Sequence, residues 1–175
     1  MTLRVILTFL LAMSVPAAAN NELNIARSSA PVADQVNTLT PARNLPGATI
    51  DTMLTVTNPL GNVTATIRTL TITDPVPDTV KFRVLNLNAG GGPVEFVDGN
   101  LLAIPLGSSG LSYTYGGLAS TTDGVEFSNG TSWSYTPVDQ GDGYDGNVRG
   151  IRVTLTGTKF LTTGSFRLRY RVMLR

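Results

Sequence analysis

Between residues 49 and 84 apolar and polar side chains change places at every second position. Ile50, Thr52, Leu54 and Val56 alternate with Asp51, Met53, Thr55 and Thr57, the two-residue period of a strand with one face in a core. Leu70 and Ile72 extend the pattern and predict a second strand over 66–73. Val80, Phe82 and Val84 alternate with Lys81 and Arg83 in a third. Asn58-Pro59-Leu60-Gly61-Asn62 and Asp74-Pro75-Val76-Pro77-Asp78 interrupt the alternation, and each proline fixes its own φ and biases its predecessor toward extended backbone, so both read as corners. The clearest alternation closes the chain. Ile151, Val153 and Leu155 oppose Arg152, Thr154 and Thr156, and Phe166, Leu168, Tyr170, Val172 and Leu174 oppose Arg167, Arg169, Arg171, Met173 and Arg175. The continuous apolar face of 166–174 predicts a strand paired along most of its length. Pairing of these two strands through 157–164 would bring Arg152 into one outward row with Arg167, Arg169 and Arg171.

Residues 86–124 are punctuated by Gly90-Gly91-Gly92-Pro93, Asp98-Gly99-Asn100, Gly107-Ser108-Ser109-Gly110 and Gly116-Gly117. Such frequent turns leave room only for short strands near 94–97, 101–105 and 111–115. Asn129-Gly130, both tolerant of positive φ, separate 125–127 from 132–135 as a hairpin signal. No helical period follows Ala19. The fold class expected is all-β, an antiparallel sandwich of about seven to ten strands over 46–175. Ahead of it, 20–45 is rich in Asn, Ser, Thr, Ala and Pro and reads as a flexible arm with one short strand near 33–37, or as a strand that adds to a neighbour's sheet.

Residues 1–19 combine a basic start at Arg4, an apolar run and the small residues Ala17-Ala18-Ala19, the layout of a cleaved secretory signal whose apolar core falls short of the ~20 residues needed to span a bilayer. No transmembrane segment is expected after cleavage. Removing 19 of the 175 residues leaves 156, and losing Arg4 brings thirteen basic side chains to twelve, against twelve acidic ones. Electroneutrality argues against capture of nucleic acid. The chain has neither cysteine nor histidine. Thiol chemistry, disulfides, Ser-His-Asp triads and histidine metal centres are therefore excluded, and the core must rest on apolar burial and sheet hydrogen bonds.

Pro46-Gly47-Ala48, Leu54-Thr55-Val56-Thr57-Asn58, Leu70-Thr71-Ile72-Thr73-Asp74-Pro75-Val76-Pro77 and Val80-Lys81-Phe82 together resemble the "conserved repeat" domain of unknown function eleven. So do Gly124-Val125-Glu126-Phe127-Ser128-Asn129-Gly130, Tyr135-Thr136-Pro137-Val138, Gly143-Tyr144-Asp145 and Val148-Arg149-Gly150-Ile151-Arg152-Val153. The resemblance spans about 33–175 and implies an Ig-like sandwich of exported bacterial or archaeal surface proteins, in a family without an assigned activity. It departs from that family in having one copy where many members carry arrays, and in lacking a sorting motif after the last strand.

Four residue groups carry candidate chemistry. Asp139, Asp142, Asp145 and Asn147 gather oxygen donors of the kind calcium prefers, although Gly141 stands where an EF-hand ligand would fall and no Glu occupies the twelfth position. Arg152, Arg167, Arg169 and Arg171 could face an anionic partner, or form the charged outer face any half-buried sheet displays. Trp133, the single tryptophan, is a sheet residue or a platform for sugar. Asp123 and Glu126 would be the carboxylates of a glycosidase, but at a spacing of three they point to opposite faces of a strand. Asn62-Val63-Thr64 and Asn129-Gly130-Thr131 fit a glycosylation sequon. The expectation is a non-catalytic exported protein, periplasmic, cell-surface or extracellular, needing no cofactor. It would contact envelope or surface proteins or glycans, with self-association open and a calcium-stabilised adhesin, matrix or fibre subunit as the alternative.

Overall fold

The computed structural model describes residues 21–36, 41–87, 91–101, 104–105 and 107–175; the expected signal segment 1–19 lies outside them. Eight strands of four or more residues and five two-residue segments follow one another: β1 (Asn24–Ala33), β2 (Thr49–Thr57), β3 (Thr69–Pro75), β4 (Val80–Arg83), β5 (Val94–Asp98), β6 (Asn100–Leu101), β7 (Ile104–Pro105), β8 (Gly107–Ser108), β9 (Leu111–Ser112), β10 (Val125–Ser128), β11 (Tyr144–Asp145), β12 (Gly150–Gly157) and β13 (Gly164–Leu174). Among the described residues no helix is long and apolar enough to cross a membrane.

These strands build a two-layered, almost wholly antiparallel sandwich. The larger sheet runs β1-β2-β13-β4-β11. One edge of β13 pairs with β2 from Ser165 to Met173, and the other pairs first with β5 and then with β4, so β13 lies inside its sheet as its unbroken apolar face requires. β8 adds a short parallel pairing with β13, at Gly164 and Ser165. The smaller sheet runs β10-β12-β3, with β9 beside the end of β12. Between the layers lie Leu54, Val56, Phe166, Leu168, Tyr170, Phe82 and Val94 from one side and Ile72, Ile151, Val153, Leu155, Val125 and Phe127 from the other. Phe82 and Phe127 meet edge-on across the layers, ring centroids 5.7 Å apart.

The pairing of β12 differs from the sequence expectation. β12 bonds to β3 over Gly150–Thr156 and to β10, and β13 belongs to the opposite layer. The connection between them cannot be a hairpin because Phe160, fully buried, sits in its middle and packs on Phe166. The segment is thereby drawn across the open end of the sandwich, where the Phe160 amide donates to the carbonyl of Ile67. Arg152 is accordingly separated from the Arg167, Arg169 and Arg171 row and lies on the outer face of the other sheet.

β3 starts and ends later than the alternation suggests, and Asp74 is a buried strand residue rather than part of a corner. The strand expected near 33–37 is instead the ten-residue β1, paired with β2 from Asn24 to Ala33. Every β1 side chain except Pro31 is exposed. A strand held by its backbone ladder and a few polar side-chain contacts has no apolar period to read. Asn62 of the first sequon is 1 % exposed: its amide clamps Asn21 in both directions and donates to Asn58, which in turn donates to the Phe160 carbonyl.

Candidate functional site

Alternation turns Arg167, Arg169 and Arg171 outward on β13, and the neighbouring strands meet two of them with carboxylates. Arg171 engages Asp51 of β2 through a fork, Nε to Oδ1 at 2.5 Å and a second nitrogen to Oδ2 at 3.0 Å. Arg169 bridges Asp51 at 3.0 Å and Glu95 of β5 at 2.5 Å. Burial alone would raise the pKa of Asp51, but Arg171 and then Arg169 outweigh it and hold the carboxyl below its ordinary range. The same bond raises Arg171. Arg167 stands between Thr55 and Val97 and makes no ion pair among the described residues. Two of the three arginines therefore spend their charge inside the protein.

The acidic loop folds around its own carboxylates. Asp139 Oδ1 accepts from the amides of Gly141 and Gly143. Asp142 accepts from the Tyr144 amide at 3.0 Å and from Lys81 Nζ at 2.8 Å, and Lys81 is the main cause of its lowered pKa. Asp145, fully buried, takes the Tyr135 hydroxyl and the Val138 amide on one oxygen and the Asn147 amide and Gln140 side chain on the other. These are turn and junction roles: each carboxylate's acceptors are directed at N–H and O–H donors rather than toward a common centre. Among the described residues no group of three or more acidic side chains stands close enough to share an ion.

Asp123 and Glu126 also part company. Asp123 bonds the amides of Gly116 and Val125 and so ties off a loop, whereas Glu126 lies on the outer face of β10, 3.1 Å from Arg152 on β12.

That ion pair borders a concavity on the smaller sheet. After β10, Gly130 adopts φ 95°, and Asn129 Oδ1 accepts from the amides of Thr131 and Ser132, which closes the turn. The returning chain bridges Phe127 at Tyr135. Trp133 is carried back over the sheet, where Gly150 leaves room for its ring edge; a Cβ there would stand 3.0 Å from the indole. The Arg152 guanidinium lies 4.0 Å from the ring centroid, a cation–π contact that fixes the half-buried indole. Trp133, Tyr135, Leu118, Glu126 and the hydroxyl-bearing Ser120, Thr121, Ser132, Ser134 and Thr136 line a groove of about 360 Å³. The sequence reading singled out Trp133 and Glu126 but missed Tyr135 and the 118–121 loop. The Trp-Ser-Tyr spacing of two, which puts both rings on one side of an extended segment, was the available signal; the loop had none.

Compared with known protein families, with curated proteins and with solved structures, the chain matches none.

Proposed function

We propose that the protein is a non-catalytic, exported component of the cell envelope or surface, an Ig-like sandwich that acts by contact and binds glycan in the groove beside Trp133. The observation that carries this reading is one groove lined both by the rings of Trp133 and Tyr135 and by the hydroxyl-bearing Ser120, Thr121, Ser132, Ser134 and Thr136. A pyranose offers one face of C–H groups, which packs on an aromatic ring, and a rim of hydroxyls, which exchange hydrogen bonds with Ser, Thr and a carboxylate. Glu126 supplies the carboxylate, and its partner Arg152 offsets the charge, so a neutral sugar fits better than a strongly anionic one. Export is supported by the signal-like pattern of residues 1–19, and a non-catalytic role by a chain without histidine or cysteine in which Asp123 and Asp139 are engaged in turns and Glu126 in an ion pair.

Trp133 is the only tryptophan, so indole emission reports on the groove alone. Titrating the protein with neutral and acidic envelope oligosaccharides should give a saturable change in emission. Calorimetry on Trp133→Ala should then show affinity weakened by about tenfold or more, as loss of one stacking ring implies. Flat titrations across both glycan classes would remove the reading.

A further inference from the structure

We infer that β1 is an exchangeable strand, and that its second seat is the β2 edge of another copy of this chain. β1 runs ten residues beside β2 yet none of its side chains belongs to the core. What holds it is the ladder, the Ser29–Thr52 hydroxyl contact at 3.2 Å, the bond from Arg27 to the Tyr170 hydroxyl at 3.1 Å, the Asn21–Asn62 clamp, and Leu23, partly buried against the core. Each of these can be made unchanged by the same strand arriving from a neighbour. Its departure would bare the edge of β2 and take Arg27 and Ser29 from the lining of a pocket of about 130 Å³ that they share with Ile50, Val76, Val80 and Val172, so β2 favours an occupied edge, and β1 is the strand in register with it there.

The connection supplies the slack. Antiparallel neighbours are normally joined by about two to five residues, whereas fifteen separate Ala33 from Thr49. Extended at roughly 3.4 Å per residue they reach about 50 Å, far enough to serve an adjoining molecule. The folded-back connector is latched at Asp34, whose carboxylate accepts from the amides of Val36 at 2.9 Å and Arg43 at 2.7 Å. The far edge of β1 also lacks the lysines that blunt exposed strands: its single charge, Arg27, is turned toward Tyr170 and Asp74. Because the contacts of β1 itself are the same in both arrangements, the balance is set by the Asp34 latch and by concentration. A tether of fifteen residues gives β1 an effective concentration near its own β2 on the order of millimolar. Exchange therefore belongs to crowded conditions such as an envelope surface. Reciprocal exchange gives a dimer, and one-way exchange an open chain.

With no native cysteine, the test is direct. Ser28 and Met53 are register partners across β1 and β2. S28C and M53C are placed in separate full-length chains, mixed from micromolar up to about millimolar, and oxidised. Exchange predicts a disulfide joining one S28C chain to one M53C chain, rising with concentration in step with the mass by light scattering; it predicts more of it when Asp34→Ala releases the latch. The doubly substituted S28C/M53C chain confirms that the register closes internally in dilute solution. Absence of the mixed disulfide at every concentration, with monomeric mass throughout, would overturn the inference. So would assemblies that crosslink only S28C to S28C, which would mean edges abutting without exchange. Neither outcome depends on glycan binding at Trp133, which lies on the other sheet.

Discussion

At the scale of single residues, several carboxylates hold the fold together through ion pairs and turn bonds. Asp51 is the clearest case, because its side chain is 11 % exposed while serving both Arg169 and Arg171. Its folded pKa is depressed by those arginines against the opposing effect of burial. A depressed carboxylate contributes stability that is present above its unfolded pKa of about 3.9 and is lost as pH falls through the folded value. Wild-type protein should therefore lose stability as pH drops below about 4, and Asp51→Asn should flatten that limb while costing about 2 kcal/mol at neutral pH, because two forked guanidinium bonds weaken together. Urea unfolding from pH 2 to 7 on both proteins measures this. A variant with the wild-type acid limb would mean that Asp51 contributes nothing to it.

At the scale of elements, alternation located the long strands but not their neighbours. β2, β12 and β13 are legible because a half-buried strand must place apolar residues at every second position. Which strand each one pairs with is decided by connections, and the decisive residue there is Phe160, which with its exposed neighbour Leu161 stands in a short link that reads as loop until the burial of Phe160 is known. β1 is illegible for the opposite reason, since nothing on it is buried. The acidic loop is legible as oxygen-rich: four oxygen-bearing residues in nine suggest a cation, whereas in the structure Asp139, Asp142 and Asp145 each accept from the backbone amide two residues on, as Asx turns do. Melting temperature should then be the same with calcium and with chelator, whereas Asp145→Ala, which strands the Tyr135 hydroxyl and the amides of Val138 and Asn147, should destabilise by about 2 to 4 kcal/mol. A calcium-dependent rise in the wild-type melting temperature would restore the loop as a metal site. Because Asp145 holds Tyr135, the same substitution should also weaken whatever binds beside Trp133.

At the scale of the whole molecule, one polar link ties three parts together. Asp74 reaches in from the smaller sheet, Tyr170 from the larger one donates to it at 2.6 Å, and Arg27 of β1 donates to the Tyr170 hydroxyl while lying 3.5 Å from Asp74. Tyr170 is 1 % exposed. Burial, with the bond to Asp74 adding to it and Arg27 opposing, pushes its hydroxyl up to about 12. A tyrosine whose folded pKa is raised contributes stability that is fully present below the unfolded pKa of about 10 and is lost as pH rises through the folded value. Wild-type stability should accordingly fall between pH 10 and 12, with Tyr113, also pushed to about 12 by burial, sharing that limb. Tyr170→Phe should remove part of the alkaline loss and cost about 1 to 3 kcal/mol at neutral pH, because Asp74 loses its donor inside the sandwich. The cost should not be spread evenly. Arg27 loses its bond to the Tyr170 hydroxyl, so hydrogen exchange at the β1 amides should accelerate more than at β10, which pairs with β12 and carries no member of the link. Faster exchange confined to β1 would identify Tyr170 as the residue that sets how readily the edge strand leaves its sheet. Uniform acceleration would mean that the link only joins the layers.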